Sequence, residues 1–294
     1  MTLAPIVITG CPRSGTQMMA RVFGNLSENF CLITEHSNKK VDVPEENLDV
    51  EDHQLWWDHF EYTKWNEVEK CPRIDIPIPN EVGIRKIRDS YLQLAQGRRI
   101  VIKNPSHILY SQIIRQVFPN AKFVFCIRNP WHTLQSMIKH GHPRLLLLSP
   151  RAANEQKSLL LRAAIGWSDA FTSYHKERDK DWVVAQYENI TDSPQTAIAG
   201  LCKNLEIHPQ DDLNIDQAAA IPQTSRSNFY YIKNAFQDSP DQNQITEEIR
   251  AGCSKFDYPL TPEGLQGTCV TYAFEEFATK LRKKTALKTW RRSA

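Results

Sequence analysis

Short apolar runs alternate with segments of helical periodicity over the first two-thirds of the chain, and that alternation sets the fold class. Ala4 to Thr9 (APIVIT) is a β-branched run ending at Gly10, and from Thr16 to Leu26 the apolar positions Met18, Met19, Val22, Phe23 and Leu26 recur at helical spacing. Phe30 to Thr34 predicts a second strand, Val82 to Gln96 a helix and Arg99 to Lys103 (RIVIK) a buried strand. Ile108 to Val117 predicts a helix and Ala121 to Ile127 (AKFVFCI) another continuous apolar strand. Pro130 stands where the next helix would begin, since its fixed φ suits the first helical turn. Asn154 to Arg178 predicts a long helix, Trp182 to Gln186 a strand and Ser193 to Leu205 a helix. Strands that are apolar throughout and alternate with helices require a parallel sheet covered on both faces, so the expected class is α/β with three layers. Beyond about residue 210 the pattern loosens into polar, Pro-punctuated sequence, closing on a helix predicted over Val270 to Lys284 and a basic tail.

Composition refines this picture only slightly. With 294 residues, 41% hydrophobic and 24% charged, the chain can bury a sizeable core as a single domain spanning 1–294. The polar, aromatic stretch at about 36–82 reads as an insertion, and the end of the chain as a C-terminal helical segment from about 245. A net charge of +2 is too small for a whole-molecule field to attract nucleic acid or a membrane surface. The N-terminus shows neither a signal peptide nor a run of spanning length, so no membrane span and a cytoplasmic location are expected. Seven scattered cysteines with no C-x-x-C pair fit reduced thiols, and the His140, His142 pair beside Pro143 reads as loop rather than a metal site. Oligomeric state is not legible.

The chemistry begins at Gly10-Cys-Pro-Arg13-Ser14-Gly15-Thr16-Gln17, between the first strand and the first helix. There an anion can meet successive backbone N–H groups and the positive end of a helix. The spacing is that of a Walker A loop, but Thr16 and Gln17 occupy the positions where that motif places Lys and then Ser or Thr. A triphosphate with its metal is poorly served; what the loop offers is a cation of its own, Arg13. A second constellation ends the AKFVFCI strand: Arg128 lies at its carboxyl end, where open α/β sheets bind ligands, and Ser136 follows eight positions later in the next helix.

Pro12-Arg13-Ser14-Gly15-Thr16 together with Arg128 and Ser136 resembles the PAPS-dependent sulfotransferases, which carry a P-loop NTPase-like fold. The resemblance spans about residues 5 to 207, with gaps. It implies that Arg13, Ser14, Gly15, Thr16 and Gln17 hold the 5′-phosphosulfate of 3′-phosphoadenosine 5′-phosphosulfate (PAPS). It further implies that Arg128 and Ser136 hold the 3′-phosphate. Tyr187, in Gln186-Tyr187-Glu188-Asn189-Ile190, is similar to the Tyr that lies near the adenine in this family, and Ser225 and Arg226 fall where these enzymes close over the nucleotide. The implied activity is transfer of a sulfuryl group to an acceptor hydroxyl, leaving 3′-phosphoadenosine 5′-phosphate (PAP), with no metal required.

Such a transfer needs cations for the leaving phosphate and a base for the acceptor proton. Arg13 is the first cation. Lys103, which ends the RIVIK strand at the same edge, is the second, although a Lys there could instead reach out to solvent. For the base, Glu35 resembles the catalytic Glu that tyrosylprotein and some bacterial sulfotransferases place after their second strand. His107 is the rival, since small-molecule sulfotransferases use a His shortly after the corresponding Lys, though at a shorter spacing. Glu35 is favoured. The segment Asp49 to Trp65 reads equally as an aromatic wall for the acceptor or as an amphipathic helix packed on the sheet. A small molecule, carbohydrate or lipid is the expected acceptor, ahead of protein Tyr. A nucleotide kinase of the same fold and a non-catalytic PAPS- or PAP-binding protein are the alternatives.

Overall fold

The computed structural model describes residues 3–34, 81–139, 149, 151–152, 157–208, 213–221 and 230–264. Five strands, β1 (Ile6–Gly10), β2 (Phe30–Thr34), β3 (Arg99–Lys103), β4 (Lys122–Ile127) and β5 (Trp182–Gln186), form one sheet in the order β2-β3-β1-β4-β5. Every pairing is parallel, with Ile8 opposite Lys103 and Val124, and Ile127 opposite Gln186. Parallel neighbours need crossovers, and the helices provide them. These are α1 (Thr16–Leu26), α2 (Glu81–Ala95), α3 (Ser111–Val117), α4 (Pro130–Lys139), α5 (Leu159–Glu177), α6 (Tyr187–Asp192) and α7 (Pro194–Asn204). Three more follow: α8 (Ile215–Ala219), α9 (Tyr230–Gln237) and α10 (Gln242–Phe256).

Successive strand residues face opposite sides of the sheet. Val7, Ile100, Ile102, Phe123 and Phe125 therefore pack under α2, α3, α4, α5 and α10, while Ile6, Ile8, Val101, Val124 and Ala185 pack under α1, α7 and α8. Both faces are covered, which is why the strands read as unbroken apolar runs. The result is the three-layer P-loop-like α/β fold expected from the sequence.

The differences from expectation have local causes. The helix expected from Ile108 begins at Ser111, because Asn104 and Pro105 start a separate 3-10 turn (Pro105–Ile108) in which the Asn104 side chain accepts from the Ser106 N–H. The long helix expected from Asn154 is α5, whose N-terminus is set by Ser158 accepting from the Leu161 N–H. Pro194 splits the last expected helix from α6. The stretch after about 210, read as loose polar chain ahead of a helical segment from about 245, contains α8, α9 and α10. The apolar stripe Ile245, Ile249, Cys253 of α10 packs on α5, and Gly252 lies so close to Trp167 that a Cβ would meet its ring at 2.3 Å. The helix expected at 270–284 lies outside the described residues.

Five cysteines, Cys11, Cys31, Cys126, Cys202 and Cys253, are buried free thiols, and burial pushes Cys202 up to about 11. Among the described residues no helix is long and apolar enough to cross a membrane, and no group of three or more His, Cys, Asp or Glu could hold a metal ion.

Candidate active site

Parallel strands bring their carboxyl ends to one edge of the sheet, and β1 at the centre places the Gly10–Gln17 loop between the ends of β3 and β4. The loop turns tightly: the Ser14 N–H donates to the Cys11 carbonyl at 3.0 Å, and Arg13 and Gly15 take positive φ values of 71° and 100°. The Ser14 hydroxyl donates to the carbonyls of Cys11 and of Cys126, the latter at 2.8 Å, so it ties the loop to β4. Gly15 precedes the first turn of α1, where Thr16 and Gln17 stand. A Cβ on Gly15 would lie 2.7 Å from the Tyr187 ring, so that ring closes one side of the loop.

Lys103 ends β3 and is 3% exposed, which settles its direction: the ammonium turns inward, donating to the Gln17 side-chain oxygen at 2.9 Å. Gln17, occupying a Walker position that would ordinarily hold a metal-binding hydroxyl, thus aims a second cation at the loop. On the other flank, Arg13 Nε donates to Ser136 Oγ at 3.0 Å, joining the loop to α4. The Arg128 guanidinium, 8% exposed, lies over the Tyr187 ring at 4.2 Å from its centroid.

The electrostatics are those of crowded positive charge. Arg13 is lowered from the usual guanidinium range, first by burial and then by the neighbouring Arg128. Burial also lowers Arg128, partly offset by Tyr187, Glu188 and Tyr258. His132 is pushed down to about 3 by burial and by Arg128, so it is neutral at ordinary pH. Two guanidiniums held close in a low-dielectric setting repel, and an anion between them relieves the repulsion.

The structure thus brings together Arg13, Gly15, Thr16, Gln17, Lys103, Arg128, Ser136 and Tyr187 at one edge. His107 is buried in the 3-10 turn after β3, which is tied to β1 where Thr9 Oγ1 donates to the Pro105 carbonyl at 3.1 Å. Glu35, Ser225 and Arg226 lie outside the described residues; Thr34, beside Glu35 in sequence, pairs with Lys103 at the same edge. Glu188, Tyr258 and His132 were not anticipated. Glu188 Oε1 accepts from the Asn129 N–H at 3.0 Å and Oε2 from the Tyr258 hydroxyl at 2.8 Å. His132 Nδ1 stands 4.0 Å from Glu188 Oε1. Only the Tyr-Glu step at the end of β5 hinted at this group.

Against known proteins, the family model for the sulfotransferase family matches residues 5–212. No curated protein sequence matches the chain significantly. Among solved structures, a sulfotransferase from Alicyclobacillus acidocaldarius has a TM-score of 0.50 at 13% identity, covering 88% of this chain and 98% of that one. The sulfotransferase domain from the curacin biosynthetic pathway has a TM-score of 0.49 at 13% identity, covering 87% and 98%. Mouse sulfotransferase SULT7A1 complexed with PAP has 0.47 at 15% identity, covering 87% and 89%.

Proposed function

The chain belongs to the sulfotransferase family, and on that premise we propose that it transfers a sulfuryl group from PAPS to the hydroxyl of an acceptor. The observation that carries this reading is the pair of mutually repelling guanidiniums, Arg13 and Arg128, at the carboxyl edge, with the inward-turned Lys103 on the other side of the loop. One phosphate does not need three cations spread across three strands; a nucleotide phosphorylated at both 3′ and 5′ positions does.

In this reading the N–H groups at the start of α1 and Arg13 receive the 5′-phosphosulfate, Arg128 and Ser136 the 3′-phosphate, and the Tyr187 ring lies beside the adenine. Ser225 and Arg226 are proposed to close over the nucleotide. During transfer the acceptor oxygen bonds to sulfur as the bridging P–O–S bond breaks, and the charge appearing on the leaving phosphate is met by Lys103 and Arg13. The acceptor proton passes to Glu35, with His107 as the rival base. The donor set needs no divalent ion, because a sulfuryl group carries less charge than a γ-phosphoryl. The insertion at about 36–82 is proposed to supply the acceptor side, for a small-molecule, carbohydrate or lipid alcohol, in a single domain acting in the cytoplasm.

Thermal denaturation with nucleotides tests the donor assignment. PAP at a hundred times its dissociation constant stabilises the protein by about 2.7 kcal/mol, whereas ATP with Mg stabilises it far less. The reverse ranking would refute the reading in favour of a kinase. Stabilisation by PAP without transfer of labelled sulfate from PAPS into any alcohol of a metabolite extract would reduce the protein to a nucleotide-binding module.

A further inference from the structure

The Gly10–Gln17 loop and the end of β4 meet at one atom, the Cys126 carbonyl oxygen. Gly10 ends β1 directly opposite Cys126, and a Cβ on it would lie 2.2 Å from that oxygen and 3.1 Å from the Cys126 carbonyl carbon. A side chain at position 10 would push the carbonyl away, and this carbonyl is the acceptor to which the Ser14 hydroxyl donates at 2.8 Å. A hydroxyl carries one proton, and here it is shared between the Cys126 and Cys11 carbonyls. The Ser14 N–H donates to the Cys11 carbonyl at 3.0 Å. Both donors of Ser14 therefore end on main-chain oxygens, and the residue is 1% exposed.

The strand end that Ser14 grips is itself held. Two residues beyond Cys126, the Arg128 carbonyl accepts from Trp167 Nε1 at 3.1 Å. Asn129 Oδ1 then accepts from the Trp131 N–H at 3.0 Å and so starts α4, the helix that carries Ser136. A second link joins the loop to α4, from Arg13 Nε to Ser136 Oγ at 3.0 Å, but it is built from groups that the donor reading assigns to the two phosphates. The Ser14 link uses neither of these groups, so it holds the loop to β4 whether or not a nucleotide is bound.

We propose that Ser14 is a positioning residue that fixes the spacing between the two anion-binding halves of the site, so that a nucleotide phosphorylated at both ends fits without moving the loop. The inference rests on the donor reading above and deepens it: Ser14 acts through the main chain of β4, where the resemblance implies direct contact with the phosphosulfate. Without the hydroxyl the loop shifts as a unit against β4, keeping its N–H groups and Arg13. A ligand with one phosphate follows the half that holds it and binds as before. A ligand with two phosphates must restore the spacing, and binds less tightly for it.

The experiment is calorimetric binding of PAP, adenosine 5′-phosphate and adenosine 3′-phosphate to wild type and Ser14→Ala, with the two monophosphates read by displacement of PAP. Ser14→Ala weakens PAP about five- to tenfold, the upper part of what one buried hydrogen bond is worth, and leaves each monophosphate within about twofold. Should Ser14→Ala not fold, Ser14→Cys, whose thiol is a weak donor of similar size, shows the same selective loss. Equal weakening of PAP and adenosine 5′-phosphate makes Ser14 a direct ligand of the 5′ group and overturns the proposal. A lowered Tm with all three affinities unchanged also overturns it, by reducing Ser14 to a stabilising contact. Failure of wild type to bind PAP at all overturns instead the donor reading on which it rests.

Discussion

Gly15→Ala is the most informative single change in the loop, because its cost separates into two parts that the structure assigns to different atoms. Gly15 sits at φ 100°, and an L-residue there carries about 1–2 kcal/mol of backbone strain. The new Cβ would also lie 2.7 Å from Tyr187 Cδ2, so the ring must retreat by roughly 0.7 Å to reach ordinary contact. The atom met is part of a rigid ring rather than the end of a flexible chain, and moving it disturbs the stacking on Arg128 at 4.2 Å. That adds about 1–2 kcal/mol of overpacking and lost cation–π contact. The total, about 2–4 kcal/mol, corresponds to a Tm lower by roughly 3–7 °C for a chain of this size. Urea or thermal unfolding of Gly15→Ala, measured in wild-type and in Tyr187→Ala backgrounds without nucleotide, separates the parts. In the Tyr187→Ala background only the backbone strain remains, giving a coupling of about 1–2 kcal/mol. An identical loss in both backgrounds would show that the ring plays no part in requiring glycine.

Two further outcomes follow from the site. For the base, Glu35→Gln lowers kcat by roughly 100-fold or more while PAP binding stays near wild type, as expected for a lost general base; near-full turnover in Glu35→Gln with loss in His107→Ala would transfer the role to His107. For pH, His132 is neutral in the folded protein down to about 3 but takes up a proton near 6.5 when unfolded. The unfolded state therefore binds the extra proton between these values, and stability falls as pH descends from 6.5 toward 3. The steepest slope is about 1 kcal/mol per pH unit after allowance for the partial exposure of the ring. Urea midpoints at pH 7 and pH 5 should fall less for His132→Gln than for wild type; parallel lines would show that His132 titrates normally in the fold.

The sheet was legible because burial on both faces forces each strand to be apolar throughout: RIVIK spans β3 from Arg99 to Lys103 just as the run suggests, and AKFVFCI misses β4 by one residue. The loop was legible because glycines and Arg13 between strand and helix have few other uses. Helix α10 was legible only as part of a helical segment from about 245, since it buries just the stripe Ile245, Ile249, Gly252 and Cys253 and is polar elsewhere, so its start at Gln242 carries no local signal. The Glu188–Tyr258 contact joins residues 70 positions apart and depends on the turn at Asp257, which no local pattern announces. The inward course of Lys103 was likewise undecidable from sequence, because a Lys at a strand end can snorkel or turn in; the Gln17 oxygen decides it.

The order β2-β3-β1-β4-β5 puts the strands bearing Lys103 and Arg128 one on each side of the strand that feeds the loop. Neighbouring strands are about 4.8 Å apart, so the backbones under these two cations are separated by roughly 10 Å whatever their rotamers do. That interval works as a ruler cut into the main chain. On the proposed donor reading, side-chain drift can retune how strongly each end of the nucleotide is gripped, but a ligand with differently spaced anionic groups would require a new strand order, so acceptor preference could diversify while the length of that donor stays fixed.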